Sequence, residues 1–168
     1  TPPHLSRPGL VSVVEQAIDE FQINPCLYDF DNTENVAMQN LDTAIVTLEK
    51  LKKLGISISL DDFGTGYSSL SHLHTLPVDT IKIGQSFVRN IPDCMGDMSI
   101  AQAIIAMANS LDLSVIAEGV ENIKQMNFFR QQSIHVIQGH LFSKPMPADE
   151  LMEILETRSS LFPLNVVK

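Results

Sequence analysis

Polar side chains that could do chemistry lie at or near the end of each short apolar run of this sequence. They are Asp31, Asp61, Asp62, Lys82, Glu118 and Gln138. Two adjacent carboxylates such as Asp61 and Asp62 suit a site for two divalent cations, because one carboxylate can bridge ions that lie about 3.5–4 Å apart. Taken alone, the same acidic pair is also compatible with a solvated turn.

Two glycines follow this acidic pair closely. Gly64 and Gly66 permit a turn with positive φ and a close approach of the backbone to a neighbouring group. The sequence therefore predicts a mobile loop over a ligand directly after the paired carboxylates.

The spacing of apolar residues predicts the elements that position these side chains. Helices are expected over residues 10–21, 41–51, 100–111, 122–132 and 148–155, with a short one near 69–74. Strands are expected over residues 27–30, 56–60, 78–83, 114–117 and 134–137. The alternation of strands with helices indicates an α/β fold with an all-parallel sheet.

The positions of the polar residues distinguish between two parallel folds. A doubly wound sheet concentrates functional residues at one switch point, whereas a (β/α)8 barrel gathers them from the carboxyl ends of many strands. Five contributing strands favour the barrel. A complete barrel needs about 250 residues, so we expect residues 1–168 to form a single, partial TIM-type barrel of about five strand–helix units. The first three strands would be absent, and residues 157–168 would form an irregular tail.

Composition and charge exclude several classes of protein. A hydrophobic content of 44% is too high for a disordered chain, and 8 Gly with 9 Pro exclude a collagen-like one. No apolar stretch approaches the roughly 20 residues of a membrane span. We also expect no signal peptide, because the first residues lack a basic and then apolar segment. A net charge of −9 disfavours nucleic-acid polymers. We expect a cytoplasmic protein without direct membrane contact from this segment, although other domains of a parent protein could anchor it.

The segment from Asp61 to Leu70, DDFGTGYSSL, resembles the signature loop of the EAL-domain family, the bacterial cyclic di-GMP phosphodiesterases. Four further segments resemble motifs of that family in the same order. They are Asp31 with Thr33-Glu34, Lys82-Ile83, AEGVE at residues 117–121, and Gln138-Gly139 followed by Phe142-Ser143-Lys144-Pro145. The resemblance extends from Arg7 to about Leu155.

The resemblance implies a signalling hydrolase that opens cyclic di-GMP to linear pGpG with two Mg²⁺ or Mn²⁺ ions. The metal ligands that it implies are Asp31, Asp61, Asp62 and Glu118. Lys82 would position the attacking water, and Glu118 would act as a ligand or a general base. Bound metals would explain how an acidic protein binds a phosphodiester.

The same resemblance implies supporting roles for other residues. Gln138 would bind the substrate through a hydrogen bond. Glu34, Glu121, Gly64 and Gly66 would anchor or shape the loops around the metals.

The sequence also departs from the family pattern. The Glu-Ala-Leu motif and a strand Asn, both ligands of the first metal, are absent. Asp31 stands where the family has Glu, which sets its carboxylate about 1.5 Å back. Gly84 stands where the family has an Asp that orients the lysine. The half of the site for the first metal is therefore incomplete, whereas the half for the second metal is retained.

Three functions remain open on these grounds. The chain could belong to a phosphodiesterase, to a degenerate receptor that binds cyclic di-GMP without cleaving it, or to a protein-interaction module. A homodimer is a candidate assembly. In each case we expect the 168-residue chain alone to be inactive.

Overall fold

The computed structural model describes Leu5, Arg7, residues 9–66 and residues 73–157. Most of the helix expected near residues 69–74, and the tail after Thr157, lie outside these described residues.

Helices and parallel strands alternate along the described part of the chain. In order they are α1 (Leu10–Phe21), β1 (Asp29–Thr33), α2 (Glu34–Gln39), α3 (Leu41–Lys53), β2 (Ser57–Phe63), β3 (Thr80–Ile83), α4 (Gln85–Val88), α5 (Met95–Ser110), β4 (Ser114–Ala117), α6 (Ile123–Gln131), β5 (Val136–Ile137) and α7 (Ala148–Thr157). A 3-10 turn, Pro25–Leu27, precedes β1.

The strands form one sheet in the order β1-β2-β3-β4-β5, and each neighbouring pair is parallel. Each strand therefore lies beside the next one in sequence, which is the arrangement of a (β/α) barrel wall. The predicted α/β class and partial barrel are confirmed.

The two faces of the sheet differ in chemistry. Alternate residues of β2 and β3, such as Ile58, Leu60, Ile81 and Ile83, are fully buried and pack in the hydrophobic core. Helix residues complete that core, among them Leu48, Leu51, Ala108 and Phe129.

The opposite face of the sheet is polar. Because side chains alternate along a strand, the strand residues between the buried ones point to this opposite face. That face carries Ser59, Asp61 and Lys82, together with Asp29 and Asp31 of β1.

β4 has the expected bounds, whereas β3 and β5 each begin two residues later than expected, at Thr80 and Val136, and β1 and β2 are shifted as well. β1 begins at Asp29 rather than at Leu27, because Pro25 starts a 3-10 turn in which Asn24 accepts a hydrogen bond from the Cys26 N–H. β2 continues to Phe63 rather than ending at Leu60. The later ends of β1, at Thr33, and of β2 place Asp31, Asp61 and Asp62 inside a strand instead of after it.

The two edge strands lead to a prediction for the isolated 168-residue chain. β1 and β5 each pair on one side only, and Leu27 and Val136 beside these edges are 80% and 58% exposed. Unpaired backbone groups and exposed apolar side chains favour association between chains. Sedimentation velocity is expected to show oligomers or aggregates at micromolar concentration. A sharp monomer boundary together with cooperative melting would contradict this prediction.

Candidate active site

Asp61 and Asp62 lie at an irregularity in the pairing of β2 with β3. Between two paired positions, β2 has one more residue than β3. Asp62 takes a φ of +53°, and its N–H donates to Asp61 Oδ1 at 2.8 Å. An extra residue of this kind interrupts the alternation of side chains along a strand. The bulge therefore allows two consecutive carboxylates to reach one cavity.

Lys82 joins two other strands of the sheet through ion pairs. Its Nζ lies 2.7 Å from Asp31 Oδ2 and 3.1 Å from Glu118 Oε1. The lysine side chain is only 8% exposed, so its charge depends on these partners. Burial lowers the pKa of Lys82, but the hydrogen bonds and charges of Asp31 and Glu118 raise it by more, so the net pKa is above its ordinary value. Lys82 is therefore a permanent cation among carboxylates.

Glu118 directly follows β4 and has an altered acidity. Burial and the neighbouring carboxylate of Asp61 raise its pKa to about 6, although Lys82 opposes this shift. Asp29, on β1, also has a raised pKa, because of burial and then of the charge of Asp31, while Ser59 and Lys82 act against the shift. A carboxylate that raises the pKa of its neighbour is held closer to it than the two charges favour.

A cavity of about 750 Å³ opens beside these groups. Its walls include Asp61, Asp62, Glu118, Glu121 and Gln138, together with the segment from Gly139 to Met146. The structure thus brings five of the predicted site residues to one cavity. Asp31 and Lys82 do not line it, and they reach it only through the Lys82–Glu118 ion pair.

The loops after β4 and β5 are joined by backbone hydrogen bonds. The Val120 N–H donates to the Gln138 carbonyl at 3.1 Å, and the Leu141 N–H donates to the Val120 carbonyl at 3.0 Å. Gly139 lies so close to Val120 that a Cβ would overlap the Val120 backbone nitrogen and oxygen. These contacts fix the position of Gln138 relative to Glu118.

Glu34, Gly64 and Gly66 lie together outside that cavity. Glu34 is 1% exposed, and its Oε2 accepts a hydrogen bond from the Gly64 N–H at 2.8 Å. Gly64 has a φ of +89°, and a Cβ on Gly66 would lie 2.6 Å from Glu34 Oε1. The loop after Asp62 therefore begins against a buried carboxylate, and both glycines are needed for that approach.

The raised pKa of Glu118 predicts a pH-dependent stability of the metal-free protein. Between pH 4.5 and about 6 the folded state holds a proton that the unfolded chain releases, so this contribution to stability is lost as the pH rises through that window. Glu118→Gln removes the titration. In the presence of a chelator, the melting temperature of the wild type minus that of the variant should fall from pH 4.5 to 6.5. A difference that is constant with pH contradicts the prediction.

Sequence reasoning missed three residues around the site. Asp29 lies two residues before Asp31 on one strand, and this spacing could have indicated a shared face. Gln85 lines the cavity and lies against Gly119, which no pattern in the sequence indicated. Gln125 is buried beneath the loop after β4, and its place three residues after Asn122 is the signature of a capping box.

The family of this chain follows from comparison with known proteins. Residues 1–145 match the EAL domain family. The chain is 47% identical over 152 residues to the cyclic di-GMP phosphodiesterase NbdA of Pseudomonas aeruginosa, covering 90% of this chain and 19% of NbdA. With its parallel sheet and its acidic strand ends, the chain belongs to the EAL domain family.

Solved structures agree with this assignment. The PaMucR phosphodiesterase in complex with c-di-GMP has a TM-score of 0.85 and 37% identity, with coverage of 90% of this chain and 61% of that one. The manganese/c-di-GMP complex of Klebsiella pneumoniae BlrP1 at pH 6 has a TM-score of 0.78 and 28% identity, with coverage of 86% and 37%. The predicted resemblance is confirmed. The chain spans about a fifth of the length of the relative NbdA.

None of the helices in the described ranges has the length and apolar character that crossing a membrane requires.

Proposed function

We propose that this chain supplies catalytic residues for the hydrolysis of cyclic di-GMP to linear pGpG with divalent cations. The observation that carries the proposal is Lys82 Nζ, 3.1 Å from Glu118, which lines one cavity together with Asp61 and Asp62. The naming of NbdA as a cyclic di-GMP phosphodiesterase and the c-di-GMP bound to PaMucR support it.

The donor set suits a divalent cation only in part. Within residues 9–66 and 73–157, no three His, Cys, Asp or Glu side chains stand ready as a metal cluster. The carboxylates of Asp61 and Glu118 do lie together, and the pKa of Glu118 is raised first by burial and then by Asp61, whose negative charge a cation would offset. Asp61, Asp62 and Glu118 would hold a metal here, and Asp31 would be a ligand of the other metal. The manganese and calcium complexes of BlrP1 support a divalent ion, and we propose Mg²⁺ or Mn²⁺.

The proposed reaction is the attack of water on one phosphodiester. The water oxygen forms a bond to phosphorus, the bond from phosphorus to the 3′ oxygen breaks, and that oxygen takes up a proton. When bound, the metal would neutralise phosphate charge and acidify the attacking water. Glu118 accepts a proton from that water, and Lys82 holds Glu118 in place and offsets the negative charge of the transition state.

The remaining residues have supporting roles in this proposal. Gln138 lines the cavity and donates to the substrate, while Glu121 forms part of the same wall. Glu34 holds the start of the loop through the Gly64 N–H. Gly66 keeps that loop close to the buried carboxylate.

The receptor alternative is favoured by two positions. The Asp31 carboxylate is engaged by Lys82 rather than directed at the cavity. Gly84 has no side chain, so position 84 supplies no carboxylate to orient Lys82. A receptor would bind cyclic di-GMP and leave it intact.

Incubation of the full-length protein with cyclic di-GMP separates the two candidates. We expect Mn²⁺ or Mg²⁺ to support the formation of pGpG and a chelator to stop it. Saturable binding without product in every metal would favour the receptor. Absence of both binding and product would favour a protein-interaction module.

Lengthening Asp31 is expected to accelerate hydrolysis. Asp31→Glu extends the carboxylate past Lys82 toward the cavity, and a misplaced group can cost about 100-fold per ångström. We predict a rise in kcat of about tenfold with little change in the affinity for cyclic di-GMP. Asp31→Asn, which keeps the short reach and removes the charge, should lower kcat. An unchanged rate in Asp31→Glu means that the reach of Asp31 does not limit the enzyme.

Three broader features belong to the same proposal. We propose that residues 1–168 form one partial domain, that it acts in the cytoplasm, and that it pairs with a second copy. The two open edges of the described sheet support the partial domain and the pairing with a second copy.

A further inference from the structure

Gln125 is a buried polar residue whose hydrogen-bonding capacity is fully used. Its side chain is 2% exposed. The carboxamide oxygen accepts from the N–H groups of Glu121 at 2.7 Å and Asn122 at 3.2 Å. The carboxamide nitrogen donates to the carbonyls of Val88 and Arg89, each at 3.1 Å. A carboxamide has two acceptor positions and two donors, and backbone atoms occupy all four.

The two backbone segments that Gln125 joins each follow a group of the site in sequence. The segment after β4 begins with Glu118 and ends at Glu121, whose N–H donates to the carboxamide oxygen of Gln125. The other segment is the end of α4, which follows Lys82 and Gly84. This helix is a single turn, closed by hydrogen bonds from Phe87 N to Gly84 O and from Arg89 N to Gln85 O, both at 3.0 Å. A shift at its end is therefore transmitted to the end of β3.

We propose that Gln125 is a positioning residue that sets the distance between Lys82 and Glu118. It links the chain after β3 to the chain after β4 by hydrogen bonds to carbonyls that lie 36–37 residues before it in sequence, and the bond to Val88 is buried. It does not line the cavity and touches no reacting group. The kinetic part of this inference rests on the proposed function.

A simple capping role uses only half of these contacts. Gln125 and Asn122 form a capping box, in which the Gln125 oxygen bonds to the Asn122 N–H and the Asn122 oxygen accepts from the Gln125 N–H. Capping needs the carboxamide oxygen alone, and glutamate serves equally well there. The two bonds to Val88 and Arg89 need the nitrogen. Gln125→Glu therefore keeps the cap and shape but turns a carboxylate oxygen toward two carbonyls.

The test compares three variants of the full-length protein. Gln125→Glu removes the link, Asn122→Ala removes the cap, and Gln102→Glu makes the same substitution at an exposed position of α5. We expect Gln125→Glu to lower kcat per folded molecule at least tenfold with KM changed by less than threefold. Asn122→Ala should lower the melting temperature with kcat within twofold of wild type, and Gln102→Glu should change neither. A kcat within twofold of wild type for Gln125→Glu would overturn the inference.

Amide hydrogen exchange gives a second readout that needs no activity. Gln125→Glu should accelerate exchange in residues 118–122 and in residues 85–90 together, whereas Asn122→Ala should affect only the first turn of α6. Acceleration in one segment alone would overturn the inference. If the wild type hydrolyses nothing, the proposed function fails and exchange decides on Gln125 by itself. If Gln125→Glu does not fold, Gln125→Asn, which is too short to span both segments, takes its place with the same expected results.

Discussion

Replacement of Lys82 with methionine is expected to lower kcat for cyclic di-GMP hydrolysis by at least about 100-fold in the full-length protein. Methionine has a similar length and carries no charge. The substitution leaves the carboxylates of Asp31 and Glu118 without the cation that lies 2.7 and 3.1 Å from them. It also removes the donor that offsets charge in the transition state. The measurement is steady-state formation of pGpG with Mn²⁺ at saturation.

Lys52 offers a matched control for this variant. Its Nζ lies 2.7 Å from Asp79 Oδ1, the same distance as in the Lys82–Asp31 pair, but at the amino end of the sheet. Asp79 also accepts a hydrogen bond from the Ile58 N–H, so this pair supports the fold rather than the site. Lys52→Met should leave kcat within twofold of wild type. Equal losses in both variants, or a Lys82→Met enzyme with most of its activity, contradict the assigned role.

Replacement of Gly139 with alanine is expected to destabilise the fold strongly. The new Cβ would overlap the Val120 nitrogen and carbonyl oxygen, and these are backbone atoms that cannot rotate away. The same Val120 atoms bond to Gln138 and Leu141, so relief of the overlap breaks the link between the loops after β4 and β5. We expect a loss of about 3 kcal/mol in the free energy of unfolding, together with weaker binding of cyclic di-GMP.

Gly96→Ala is the control for this loss. Gly96 lies in the first turn of α5, where a Cβ would meet only Cys94 Sγ at 3.8 Å. Alanine is a better helix former than glycine, so stability should rise by up to about 1 kcal/mol. Urea denaturation of both variants measures the two effects. A Gly139→Ala protein as stable as wild type means that the two loops are not fixed as described.

The order of the helices and strands was predictable because the apolar residues that face the core recur along the sequence with the period of each kind of element. Apolar spacing of 3.6 residues indicated α1, α3 and α6, and short apolar runs indicated all five strands. The short helices α2 and α4, six and four residues long, were not predicted because they contain fewer than two turns. The start of α5 at Met95 was also missed, since its first turn contains Gly96, Asp97 and Ser99 with little apolar pattern.

The site residues were predictable where a side chain directly follows a strand. They were less predictable where an irregularity in the backbone decides which way a side chain points. Glu118 and Gln138 follow β4 and β5 directly, as expected. The bulge at Asp61 and Asp62 depends on pairing with β3, which no local pattern encodes. The Lys82–Asp31 bond was likewise not predicted, because it joins residues 51 positions apart. The four contacts of Gln125 depend on two loops meeting in space.

The most direct measurement of the central claim is hydrolysis of cyclic di-GMP in water enriched in oxygen-18. The full-length protein is incubated with cyclic di-GMP and Mn²⁺, and the masses of the products are measured by mass spectrometry. Attack by water on one phosphodiester predicts linear pGpG that carries a single oxygen-18 on its terminal phosphate. Recovery of intact, unlabelled cyclic di-GMP from a protein that binds it would contradict the account.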